Sequence, residues 1–170
     1  MGFIQRKGVV IGVDPDIERS GLAVITLSSR TLEAEALPFP ELLDRIRALY
    51  AAMEPEERFI VVVEAGWMNK GNWHVSESRN GKFSPSAYAA AVGAHTGEGN
   101  AVSKLILQCL EHEGIPAKAQ CPLRKCWRGK DGKITHAELA REAETYRLNF
   151  KCGRTNQEAR DAALIAIVNM

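Results

Sequence analysis

Apolar and polar residues follow two different periods along this chain, and each change of period marks a change of element. Residues 8–13 are a short β-branched run of the kind found in a strand covered on both faces. A second run, 22–27, follows the turn-like segment 16–21. Residues 31–37 alternate Leu32, Ala34 and Ala36 with polar positions, which predicts a third strand paired back through 28–30. From 40 to 53 the spacing becomes helical, with Leu42, Leu43, Ile46, Leu49, Tyr50 and Met53 on one side. Residues 59–63 return to strand character and end at Glu64. A helix is predicted over 100–113, carrying Val102, Leu105, Ile106, Cys109 and Leu110 and stopped by Gly114. A fifth strand is expected over 115–120. The segment 135–146 opens with Thr135-x-x-Glu138, a capping box, and is predicted helical, as is the alanine-rich stretch 155–168. The order is mixed α/β, and 170 residues suit a single domain.

Two stretches break this pattern. Residues 66–85 are rich in Gly, Asn and Ser and carry Trp67, Lys70, Trp73, Arg79 and Lys82, too long and polar for a simple connection. They are expected to form a mobile functional loop or an insertion. Residues 118–133 hold six basic residues, Lys118, Arg124, Lys125, Arg128, Lys130 and Lys133, against Asp131 alone.

Composition narrows the function classes without choosing one. Lys and Arg number 22 against 21 Asp and Glu, so a nucleic-acid partner has to be argued from local clusters. No apolar run approaches the ~20 residues of a membrane span and no apolar signal region opens the chain, which predicts a cytoplasmic protein with no membrane partner. Its four cysteines are then expected to be reduced. Cys121-x4-Cys126 matches no common zinc spacing. The glycine-rich 95–99 segment lacks the Lys-Ser/Thr ending of a phosphate-binding loop.

The carboxylates are more specific. Asp14 ends the first apolar strand and Glu64 ends the fourth, so the two acids lie side by side if those strands are neighbours. Glu158 and Asp161 are three apart on a helix and share a face. Thr155-x-x-Glu158 is also a capping-box pattern, which leaves Glu158 either a cap or a site residue. Asp161 has no such second role. Four converging carboxylates would repel one another unless hard cations neutralise them, and oxygen-only ligation suits Mg²⁺ or Mn²⁺. Two such ions support phosphodiester hydrolysis.

Val10-Ile11-Gly12-Val13-Asp14-Pro15, followed by Ser20-Gly21-Leu22-Ala23-Val24-Ile25, resembles the first hairpin of the RuvC-type Holliday-junction resolvases. Val62-Val63-Glu64 is similar to that family's second acid, and 158–167 to its final helix, with two acids three apart before an Ala/Leu/Ile run. The likeness runs in order along nearly the whole chain. It departs at Asp16, where the family usually has glycine, and at Glu158, where aspartate is commoner. It implies a ribonuclease-H-like α/β fold, a five-stranded mixed sheet flanked by helices. The implied function is a crossover-junction endonuclease of DNA recombination and repair, metal-dependent and often dimeric, with Asp14, Glu64, Glu158 and Asp161 as catalytic metal ligands. The alternatives are another ribonuclease-H-like nuclease, acting on an RNA–DNA hybrid or a different DNA structure, and an inactive nucleic-acid-binding scaffold. The DNA contacts expected are Lys125, Arg128, Lys130 and Lys133, with Trp67 and Trp73 stacking on bases or packing beneath the loop.

Overall fold

The computed structural model describes residues 7–69 and 85–170. Trp73 and the rest of 70–84 lie outside the described residues. Three consecutive strands, β1 (Gly8–Asp14), β2 (Ser20–Thr26) and β3 (Thr31–Leu37), form an antiparallel meander. The helix α1 (Phe39–Ala51) then returns the chain to β4 (Arg58–Glu64), which lies parallel to β1. The helix α2 (Pro85–His112) leads to β5 (Ala117–Gln120), parallel to β4. The helix α3 (His136–Thr145), a two-residue strand β6 (Asn149–Phe150) and α4 (Gln157–Val168) complete the chain. The sheet order is β5-β4-β1-β2-β3-β6.

The expected mixed sheet flanked by helices is present, with six strands rather than five. The extra strand pairs Asn149 and Phe150 with Thr31 and Leu32. Two residues carry no period, so the pattern of the sequence could not announce it. A second difference is α2, which begins fifteen residues before the predicted start at 100. Gly93, Gly97 and Gly99 interrupt that stretch, and glycine costs a helix interior about 1 kcal/mol each. Most of 86–98 is exposed, so no buried stripe marks it as helical. Among the described residues no helix is long and apolar enough to cross a membrane.

The core is split by the sheet into two layers of different grain. On one face Val9, Ile11, Val13, Val61 and Val63 meet Leu42, Leu43 and Ile46 of α1 and Val102, Ile106 and Leu110 of α2. On the other, Val10, Ala23, Ile25 and Leu32 meet Leu139 and Ala143 of α3 and Ala162, Ala163 and Ala166 of α4. The second layer is thin for a definite reason. A Cβ at Gly12 would stand 2.1 Å from the Ala162 carbonyl oxygen, and one at Gly21 would stand 2.0 Å from that of Glu158. The helix α4 therefore lies with its backbone directly on β1 and β2, which only glycine beneath it permits.

Candidate active site

β1 and β4 run parallel with Val13 opposite Val63, so Asp14 and Glu64 leave the sheet at the same level. Side chains alternate between faces, which puts residue 14 with residues 10 and 12, on the α4 side. Residue 64 shares that side with Ile60, which packs against the same core layer. The close approach of α4 over Gly12 carries Asp161, next to Ala162, to the same place. Asp14, Glu64 and Asp161 line one pocket of about 120 Å³. Three elements distant in sequence supply its acids.

Glu158 stands differently. It is half-buried in the first turn of α4 and does not line the pocket, although its charge is felt by Asp14 and Asp161. The helix is capped by Asn156, whose Oδ1 accepts from the Ala159 N–H at 3.0 Å. Thr155 instead bonds His136 Nδ1 at 2.9 Å. The capping-box role open to Glu158 is therefore not used.

The other wall is the loop between β5 and α3. Its N–H of Trp127 donates to the Gly132 carbonyl and that of Gly129 to the Lys133 carbonyl, both at 2.9 Å, which folds the loop back on itself. Arg124, Lys125 and Lys133 line the pocket. Lys133 Nζ lies 3.8 Å from Asp161 Oδ2. Arg128 and Lys130 are exposed on the outside of the loop, and Lys118 is exposed on the edge strand β5. Trp127 packs against the α4-side core and lines the pocket, so it anchors the loop.

Burial pushes the Asp14 carboxyl well above the usual aspartate range, and the charges of Glu64 and Asp161 push it further; Lys133 opposes them. Glu64 is raised by burial and then by Asp161, while Lys125, the Leu123 N–H and Lys133 pull it down. Burial also raises Asp161, against a hydrogen bond from Gln157 and the charges of Lys133 and Lys125. At each acid burial outweighs the cations that oppose it, Lys133 at Asp14 and both Lys125 and Lys133 at Glu64 and Asp161. Among the described residues, no three Asp, Glu, His or Cys side chains converge tightly enough to hold a metal ion as they stand.

At the far rim, residues Gly66–Met68 form a single 3-10 turn just beyond Glu64. Trp67 is half-buried there, with Lys104 Nζ of α2 5.3 Å from its ring centroid. The buried Ser103 hydroxyl donates to the Glu64 carbonyl at 2.6 Å and ties α2 to the strand end that bears the acid. Lys104, Ser103 and Gln157 have no counterpart among the sequence expectations. Only Gln157 had a readable signal, its i,i+4 spacing to Asp161.

No family model and no curated protein matches the chain. Among solved structures it is similar to T. thermophilus RuvC in complex with Holliday junction substrate, at 20% identity over 94% of this chain and 91% of that one, TM-score 0.49. It is also similar to the Thermus thermophilus RuvC structure, at 23% identity over the same shares, TM-score 0.40. At this identity and superposition the likeness says nothing of what this chain binds or cuts. Both neighbours are structures of RuvC, the family that the motifs around Asp14, Glu64 and Asp161 resemble.

Proposed function

We propose that this protein is a divalent-metal-dependent endonuclease acting on branched DNA, with Asp14, Glu64 and Asp161 as its metal ligands and Glu158 as an outer, fourth acid. One observation carries this: three half-buried acids from β1, β4 and α4 line a single pocket, each with its pKa raised, by burial first. An idle acid at a strand end would be fully solvated. Here three acids of raised pKa share one pocket, a common mark of a functional site.

The donor set fits Mg²⁺ or Mn²⁺, since the pocket offers carboxylate oxygen and neither histidine nor cysteine. When bound, such ions supply the charge that activates water and offsets the developing charge on a phosphodiester. The protein's own part is positional. β1 and β4 fix two carboxylates at one level, α4 brings the third over Gly12, and Asp161 would exchange its Lys133 contact for the ion. Lys133, so released, and Lys125 and Arg124 are placed to hold phosphate oxygens at the pocket mouth, while Arg128 and Lys130 extend the basic surface outward. Trp67 offers an indole beside Glu64 on which an unstacked base can rest. A second copy would dock along the outer part of α2, where residues 86–98 carry only His95 and Glu98 as ionisable side chains besides Tyr88.

A second reading, an inactive scaffold that binds nucleic acid, is favoured by the Lys133–Asp161 pair, a built-in cation at the acids. The purified protein, assayed with Mg²⁺, Mn²⁺ or chelator on a four-way junction, a linear duplex and an RNA–DNA hybrid, separates these. Metal-dependent cutting of the junction is expected. Cutting of the hybrid instead would redirect the substrate, and binding without cutting under every metal would favour the scaffold.

A further inference from the structure

Asp161 is held by a chain of two side chains that the sequence presents as ordinary helix-surface residues. Gln157 Nε2 donates to Asp161 Oδ1 at 2.8 Å. Behind it, Arg160 Nη2 donates to Gln157 Oε1 at 2.9 Å. The same guanidinium donates through Nε to the Ile134 carbonyl at 2.9 Å and through Nη1 to the Thr155 carbonyl at 2.5 Å. Arg160 is therefore turned inward, half-buried, with its fork spent on backbone and amide oxygens.

The direction of each bond follows from the chemistry of the partners. Arginine has donors only, and an ionised carboxylate accepts only. A glutamine between them satisfies both in one orientation, carbonyl toward Arg160 and NH₂ toward Asp161. The reverse amide would set NH₂ against guanidinium and oxygen against carboxylate. The usual ambiguity of an amide flip is thus resolved by its neighbours. Arg160 also grips the carbonyl of Ile134, the residue after Lys133, so one guanidinium references both the helix bearing Asp161 and the loop bearing Lys133.

We propose that Arg160 and Gln157 are positioning residues for Asp161: Arg160 sets the Gln157 amide, and its NH₂ pins Oδ1 so that Oδ2 stays on the Lys133 side of the pocket. This rests on Asp161 being a metal ligand. A ligand whose rotamer is fixed in advance binds an ion without ordering cost, and partners behind a ligand commonly change metal affinity by about 10–100-fold.

The test is Mn²⁺ affinity, measured by calorimetry on wild type, Gln157→Leu, Arg160→Met and the double variant, with thermal melting as a check of folding. Each single change should weaken Mn²⁺ binding about tenfold. Because Arg160 acts through Gln157, the double variant should also lose about tenfold and not the hundredfold of independent effects. Arg160→Met is expected to melt lower as well, since two carbonyls lose their donor; should it not fold, Arg160→Lys takes its place in the cycle. Unchanged Mn²⁺ affinity in Gln157→Leu, or a hundredfold loss in the double variant, would overturn the positioning role. A wild-type protein that binds no Mn²⁺ would instead remove Asp161 as a ligand, and the positioning role with it.

Discussion

The two faces of the sheet are packed on opposite principles. The α1/α2 face is filled by branched side chains, with Ile11, Leu42, Ile46, Ile106 and Leu110 fully buried. The α4 face is made by leaving side chains out, with Gly12 and Gly21 under the backbone of a helix rich in alanine. The first arrangement excludes water and stabilises; a lost methylene there costs about 1 kcal/mol and moves little else. The second brings a helix within backbone contact of the strands, and that proximity is what sets Asp161 over the ends of β1 and β4. One face supplies stability and the other supplies geometry, so the same kind of substitution should have unequal effects on the two.

The largest expected effect is Gly12→Val. Its new side chain has no room against Ala162 and Ala166, so a loss of about 3 kcal/mol or more, or no folding at all, is predicted by thermal melting. Ile106→Val on the opposite face should lower stability by only about 1 kcal/mol and leave cleavage intact. Equal losses from the two would erase the distinction.

Next comes Asp161→Asn, which keeps volume and removes a ligand charge. Cleavage should fall by more than about a hundredfold, while the melting temperature of the metal-free protein holds or rises. Unchanged turnover would make the acid structural.

A smaller effect is the pH dependence of the metal-free protein. Asp14, Glu64 and Asp161 have native pKa values raised above the unfolded 3.8, 4.5 and 3.8. The native state therefore holds protons more tightly, and the stability these acids contribute is full below the unfolded values and lost as pH climbs through the raised ones. Glu113 and Glu138 are lowered and act oppositely, but only as pH falls below the ordinary glutamate range. Melting temperature should accordingly decline as pH rises from the ordinary carboxylate range through the raised values. Asp14→Asn or added Mn²⁺ should flatten that decline. A slope that survives both must come from other groups.

The smallest effect concerns the loop. Lys130 is exposed and outside the pocket, so Lys130→Ala should reduce the log–log salt slope of DNA binding by about 0.9. Lys133→Ala should do the same and also free Asp161, so it alone should alter Mn²⁺ affinity.

The contrast between the faces also accounts for what the sequence could disclose. Strands β1 and β4 were legible from their buried β-branched runs, and the positions of Asp14 and Glu64 followed because each acid ends such a run. The helix α3 was legible from its capping box, which is formed as expected. The outer part of α2 was not, because exposed residues leave no stripe and its glycines argue against a helix. The role of Gly12 and Gly21 was hidden too, since a glycine in a strand does not say which backbone will approach it. Lys133 lies beside Asp161, a contact between segments far apart in sequence that no local pattern encodes. Arg160 was hidden for a related reason, as a polar residue on a helix surface is usually solvated.

The most direct test of the central claim, that the α4 face gathers its acids to hold divalent metal, is anomalous diffraction from a crystal soaked in Mn²⁺. Strong anomalous density is predicted in the pocket between Asp14, Glu64 and Asp161, with the Lys133 ammonium displaced from Asp161. A fully soaked crystal with no ion there, and Lys133 still paired with Asp161, would contradict it.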